Sequence, residues 1–248
     1  MSTVDHDVDS LVVAWSSPAV LVSTLPGAAL ARNRKHCMMS AMGVWTERVV
    51  PRLTDLSLRG HQVGAEREIV CRGLSGRVLE LGFGSGLNTR FYPAAVESVA
   101  AVEPSDVGWQ LSGRRRERTA VPIERRGLDG QHLDESDASY DSVLVTFTFC
   151  TIPDVHLAMR EVRRVLRSDG TLHFLEHGLS PDQSVQKWQR RLEPIQRRVA
   201  GGCHLTRHTP ELLEHNGFTV HDLVEGPIPG MPAGSPLTYR FRGVATIS

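Results

Sequence analysis

Residues 77–88, Arg-Val-Leu-Glu-Leu-Gly-Phe-Gly-Ser-Gly-Leu-Asn, constrain this chain more than any other stretch. Val78–Leu81 reads as a buried strand that runs straight into glycines at 82, 84 and 86. Glycine permits a tight turn and lets a ligand approach the backbone with no Cβ in the way. Residues 87–92 are expected to begin a helix whose first amides face that ligand. Strand, glycine turn and helix together make a cofactor-binding corner. A dinucleotide corner needs G-x-G-x-x-G. Counted from Gly82 the third glycine falls on Leu87, and counted from Gly84 it falls on Thr89. Neither register fits, which counts against a nicotinamide-dependent oxidoreductase. The pattern present is Glu-x-Gly-x-Gly-x-Gly, from Glu80 to Gly86.

The rest of the chain supplies alternating strands and helices. Residues 98–102 read as a strand closed by Glu103-Pro104-Ser105, residues 109–118 as a helix, and residues 122–125 as a further strand. Ser142–Phe149 is nearly continuous in apolar and β-branched residues, as expected of a central parallel strand buried on both faces. Asp154–Arg167 is the clearest helix, with Val155, Met159, Val162 and Leu166 on one face. Gly170 should end it, and Thr171–Glu176 is the next strand. Val185, Trp188, Leu192, Ile195 and Val199 keep helical spacing, kinked or divided at Pro194. Thr209 should cap a helix with Pro210 in its first turn, and strands follow at 218–223 and 237–245. Before the corner, residues 45–71 read as helix, with Val49, Leu53, Leu56 and Leu58 apolar and a break at Pro51. The class is α/β: a doubly wound, mainly parallel seven-stranded sheet with helices on both faces.

With 248 residues, 40% of them hydrophobic, the chain suits one domain with a full core. Basic and acidic residues balance at 28 each, so no global field recruits nucleic acid or anionic membrane. The run Arg114-Arg115-Arg116-Glu117-Arg118 reads as a solvated helix face, since its balancing acids are present. Cysteines at 37, 71, 150 and 203 show no metal-binding spacing and imply free thiols in a reducing compartment. His173 and His177 on a strand would stand about 13 Å apart, too far to chelate one ion. His204 and His208 could share an ion only on a continuous helix, so no metal site is expected.

Leu11–Ala31 carries no charge, yet Asp5, Asp7 and Asp9 stand where a signal peptide needs Lys or Arg. Pro18, Pro26, Gly27 and four Ser/Thr residues make a poor spanning helix. Residues 1–40 are therefore expected to be a poorly ordered or peripherally packed leader, and residues 41–248 the domain. A translation start at Met38, Met39 or Met42 would make that leader non-native. The expected protein is cytoplasmic, without stable membrane insertion.

Glu103 stands where doubly wound folds place an acid on ribose hydroxyls; the competing reading is a surface acid in a turn. The Glu80–Gly86 pattern resembles motif I of the class I S-adenosylmethionine-dependent methyltransferases, a Rossmann-like fold. An acid suits that cofactor, which carries an ammonium and a sulfonium where NAD carries a pyrophosphate. Residues 77–177 are similar to the type 11 methyltransferase domain, and the helix end Arg160–Gly170 carries part of the likeness. Ser168-Asp169-Gly170 stands where that family usually has a Pro-Gly pair. The resemblance implies S-adenosylmethionine held by Glu80, Gly82, Gly84, Gly86, Asn88, Glu103, Asp129, Gly130 and Thr146. Asp129 falls in the segment that contacts adenine in this family, with Asp134 and Asp137 as alternatives.

Three further stretches, Gly86–Pro93, Phe174–His177 and Gly202–Arg207, are similar to the animal alkyl-thiol methyltransferases and their bacterial relatives. That resemblance spans about residues 40–245 and implies a small-molecule acceptor, a thiol before a phenol or other hydroxyl. The membrane-anchoring N-terminal helix of those animal proteins is not carried over.

Methyl transfer is an in-line displacement, and a base helps only where the acceptor begins protonated. Glu176 and His177 end the fifth strand on the cofactor edge, while His204 and Arg207 lie in a loop able to fold over it. All four are candidates to orient or deprotonate the acceptor. The competing reading is that they pair among themselves and pin the loop. Phe147, Phe149 and Ile152 would suit an apolar acceptor. Two other functions compete: a non-catalytic S-adenosylmethionine-binding module, and an RNA methyltransferase, which the neutral charge disfavours.

Overall fold

Strand alternation decides the layers of this fold. In the computed structural model the described residues are 43 and 45–248; the expected leader and the alternative starts lie outside them. One sheet runs in the order β3-β2-β1-β4-β5-β7-β6. Its strands are β1 (Gly76–Leu81), β2 (Val96–Val102), β3 (Ile123–Gly127), β4 (Tyr140–Thr146), β5 (Leu166–His177), β6 (Phe218–Pro227) and β7 (Tyr239–Ile247). Strands β1–β5 are parallel, and β7 lies antiparallel between β5 and β6. The helices are α1 (Val50–Leu58), α2 (His61–Cys71), α3 (Asp106–Leu111), α4 (Gly113–Arg116), α5 (Val155–Val165), α6 (Gln183–Val199) and α7 (Thr209–His215).

Successive side chains of a strand point to opposite faces. Val78, Leu144 and Leu175 therefore join one buried cluster with Val70 and Cys71 of α2. Leu79, Leu81, Val143, Val145, Leu172 and Phe174 join the other, with Met159 and Val162 of α5 and Leu213 of α7. Each fully buried Leu, Val or Phe contributes about 1.5–3 kcal/mol. The Asp154 side chain caps α5, accepting from Leu157 N at 2.9 Å, a contact of about 1 kcal/mol. After β1 the chain moves outward to β2 and β3, then returns to β4 on the other side of β1. This is a topological switch point, where ligands sit beyond the carboxyl ends of the strands.

Several expectations need correction. No α-helix follows the glycine turn: only a 3-10 turn, Thr89–Phe91, forms before Pro93. The side chains of Asn88 and Tyr92 are drawn inward there instead. Pro51 does not break the N-terminal helix but sits in the first turn of α1, and the break comes at Gly60. Helix α5 stops at Val165, so Leu166 and Arg167 belong to β5, whose register shifts before Thr171. Helix α6 continues through Pro194. Its spacing is helical as expected, yet Trp188, Ile195 and Val199 are exposed, as are Leu53 and Leu56 of α1. His208, one residue before the expected Thr209, caps α7. Among the described residues no helix is long and apolar enough to cross a membrane.

Candidate active site

A cleft of about 940 Å³ opens at the carboxyl ends of β1, β2 and β4, within the range of small-molecule sites. The three glycines after β1 all have positive φ, +74°, +57° and +74°, but they serve different ends. A Cβ on Gly82 would sit 1.9 Å from Thr148 Oγ1, so this residue lets two loops touch. A Cβ on Gly84 would meet only Gly82 O, at 3.9 Å, leaving a bare backbone face on the cleft. Gly86 packs against Phe83 and Ser112 and is not part of the wall.

Glu103 follows the last residue of β2 and lines the cleft. Its carboxylate accepts Ser105 N at 2.7 Å and Gly84 N at 2.5 Å, which ties it to the glycine turn. Burial raises its pKa, and those two amides pull it back. Asp129 and Gly130 also line the cleft. Asp129 accepts from Gln131 N and Nε2 and contacts His132 Nδ1, and these contacts lower its pKa. A Cβ on Gly130 would strike Leu81 Cδ1 at 2.5 Å, so this loop lies tight on the end of β1. Asp137 pairs with Arg164 instead, and neither it nor Asp134 is on the wall.

Glu80 does not face the cleft. It shares strand parity with Val78, so it points toward α2, fully buried. Asn88 Nδ2 donates to Glu80 Oε1 at 2.9 Å and to Thr146 Oγ1 at 3.0 Å, while Tyr92 Oη donates to Glu80 Oε2. Burial pushes the Glu80 carboxyl up to about 7, opposed by Tyr92, Asn88 and Arg67. Glu80 and Asn88 thus brace the turn from behind, while Thr146 reaches the wall.

The same network brings in Arg67, which sequence reading missed. Its Nη1 donates to Asn88 Oδ1 and Thr146 Oγ1, both at 2.8 Å, and its guanidinium lies 5.4 Å from the centre of the Phe147 ring. It is 4% exposed yet lines the cleft, with Nε unpartnered. In sequence it is one arginine among many in a helix and carries no signal of its own.

The four proposed catalytic side chains lie off the cleft wall. Glu176 is fully buried; Oε1 accepts Thr148 N at 2.6 Å and Phe149 N at 3.1 Å, and Oε2 accepts Cys150 N at 3.3 Å. It clamps the turn after β4. Burial pushes its carboxyl up to about 7, opposed by those amides and His177. Arg207 donates to Phe149 O and Pro153 O, gripping the same turn from outside. His204 Nδ1 lies 3.0 Å from Glu193 Oε1. His177 Nε2 lies 3.1 Å from Cys203 Sγ, beside Cys150. The geometry therefore favours the pinning role that competed with catalysis. Phe147 and Ile152 do line the cleft, whereas Phe149 is 1% exposed in the core. Phe147 has φ +53°, a strained conformation costing about 1–3 kcal/mol that only a well-held turn sustains.

Comparison with known proteins fits this geometry. Residues 79–174 match the family model for a methyltransferase domain, type 11. Thiol S-methyltransferase TMT1B of Rattus norvegicus is 35% identical over 164 residues, covering 64% of this chain and 67% of that protein. The chain belongs to the S-adenosylmethionine-dependent methyltransferases. TMT1B of Homo sapiens is 35% identical over 165 residues, 63% of this methyltransferase and 66% of the relative. A solved S-adenosylmethionine-dependent methyltransferase from Methanosarcina mazei aligns with TM-score 0.56 at 18% identity, over 72% of this chain and 96% of its own. At that identity the likeness is one of fold. S-adenosylmethionine is the methyl donor. The methyltransferase's cleft fits it chemically, with a carboxylate beside a bare glycine face and a buried cation on the same wall.

Proposed function

We propose that this methyltransferase acts on a small-molecule thiol in the cytoplasm, with no nucleic acid or membrane partner. The observation that carries the acceptor class is the make-up of the cleft wall. Its described residues include no His, Cys, Tyr or Lys, while Val50, Pro51, Phe147 and Ile152 give it an apolar side. A thiol of pKa about 8.5 is a few per cent thiolate at neutral pH and strongly nucleophilic. It needs the least from a protein base. A phenol, near pKa 10, needs more. The thiol S-methyltransferases at 35% identity support the same reading.

In this reading Glu103 accepts from the ribose hydroxyls and the Asp129-Gly130 loop meets the adenine edge. The Gly82–Gly84 backbone allows close approach, while Arg67, steadied by Thr146, faces the carboxylate end. The bound donor supplies a methyl group activated by its sulfonium. Phe147 and Ile152 exclude water and hold the acceptor sulfur in line, which lowers the barrier by proximity. Glu80, Glu176 and Arg207 keep the two turns in place.

Purified protein given S-adenosylmethionine and thiols of graded pKa should release S-adenosylhomocysteine and S-methyl product one for one. At subsaturating thiol the rate should climb with pH and level off at each thiol's own pKa. Preference for an amine, a hydroxyl or RNA would overturn the acceptor class. A break at one fixed pH for every thiol would show a protein base instead.

A further inference from the structure

Three distant segments meet at one point beside the cleft. Cys150 lies in the turn after β4, His177 closes β5, and Cys203 follows α6. Their donor atoms, two sulfurs and a ring nitrogen, lie within 4.8 Å of one another. Cys150 and Cys203 are 2% and 5% exposed. His177 Nε2 faces Cys203 Sγ at 3.1 Å, and Nδ1 has no hydrogen-bond partner that would fix the opposite tautomer.

A tetrahedral zinc ion, with Zn–S about 2.3 Å and Zn–N about 2.0–2.1 Å, sets its ligand atoms about 3.5–3.8 Å apart. The cluster reaches that spacing with shifts of about 1 Å or less. We propose that Cys150, His177 and Cys203 bind a soft divalent cation of the zinc class, with water in the fourth position. Two thiolates and a neutral imidazole suit such an ion, and binding releases one proton from each thiol that carries one, with no oxidant. Sequence spacing could not show the set, because no two members are close in the chain.

The ion's place gives it a task. The segments that carry Cys150 and Cys203 also supply Thr151, Ile152, Ala200 and Gly201 to the cleft wall. They already touch, through His204 N donating to Cys150 O at 2.8 Å. A bound ion fastens these two wall segments to each other and to the end of β5. It holds the wall and takes no part in the methyl-transfer step.

The test uses the full chain, reduced and stripped with a chelator, then titrated with Zn²⁺ or with Co²⁺ as a spectroscopic probe. One equivalent of Zn²⁺ should bind and raise the melting temperature. Co²⁺ should give a thiolate charge-transfer band and intense tetrahedral d–d bands. Cys150→Ser and Cys203→Ser should each weaken Zn²⁺ binding by more than about 100-fold, beyond what losing an outer-shell partner costs. Cys71→Ser, in α2 and outside the cluster, should bind as the unaltered protein does. Circular dichroism checks the fold of each variant, and the cobalt spectrum of the unaltered protein needs no variant. The proposal falls if the reduced protein takes up no metal, or if either serine variant binds as tightly as the parent. It also falls if Cys150 and Cys203 are recovered as a disulfide whose reduction yields no metal binding.

Discussion

Glu80 and Glu176 are the same residue type, each one residue from the carboxyl end of its strand, β1 and β5, on either side of β4, yet they hold the turns around the cleft differently. Glu80 is bound by side chains, Asn88 and Tyr92, and steadies the glycine turn, the half proposed above to hold the donor. Glu176 is bound by three successive backbone amides, Thr148–Cys150, and steadies the turn after β4, the half proposed above to hold the acceptor. Both lie inside their strands, so each points to a sheet face and is covered. Glu103 comes just after β2 and lines the cleft. One position decides whether a strand-end acid is buried as a brace or opens onto the cleft.

The glycines should show the largest effects. Gly82→Ala should cost about 2–4 kcal/mol of folding stability in denaturant titrations, from overpacking against Thr148 and the positive φ. Gly84→Val shares the positive-φ cost but its Cβ meets no neighbouring atom closer than 3.9 Å, so it should in addition lose S-adenosylmethionine affinity, about 100-fold or more by calorimetry on folded protein, because its side chain enters the cleft. Equal effects of the two changes would erase the distinction. Next, Glu176→Ala leaves three buried amides unpaired and should destabilise by about 2–4 kcal/mol. It should raise the acceptor KM, with Glu176→Gln recovering part of both losses. Glu103→Gln should weaken donor binding about tenfold and, because one of its two amide partners loses its acceptor, lower stability by about 1–2 kcal/mol.

The smallest effect is one of pH. The folded Glu176 carboxyl is raised to about 7 by burial, from an ordinary 4.5. The folded chain therefore binds more protons than the unfolded chain between those values. Its contribution to stability is full below about 4.5 and is lost as pH rises through about 7. Glu176→Gln lacks this dependence, so the parent's stability relative to the variant should fall between pH 5 and pH 8. A relative stability that rises over that range would mean that the three amides outweigh burial and hold the carboxyl ionised.

The donor half was legible because it depends on local backbone conformation. Three glycines with positive φ, and an acid after the next strand, leave a mark within a short stretch of sequence. Helix α5 was legible through its apolar spacing and the Asp154 cap. The acceptor half was not, because remote segments assemble it. Arg67, on the donor side, was hidden for the same reason, since it reaches the wall only when α2 packs on the sheet; Cys150, His177 and Cys203 meet only when two loops and the end of β5 come together. The expected helix after Gly86 failed because tertiary bonds from Asn88 and Tyr92 to Glu80 override local preference. Strand parity, applied to Glu80 and Glu176, could have placed both behind the wall. On α6, periodicity identified the helix, but Trp188 and Ile195 of its apolar spacing are exposed.

The division of the cleft is tested most directly by measuring donor Kd and acceptor KM side by side in Glu103→Gln and Glu176→Gln. A crossed result is expected. Glu103→Gln weakens donor binding and leaves the acceptor KM near that of the parent; Glu176→Gln raises the acceptor KM and leaves donor binding within about twofold. Donor binding weakened as much by Glu176→Gln as by Glu103→Gln, with the acceptor KM unmoved, would contradict it.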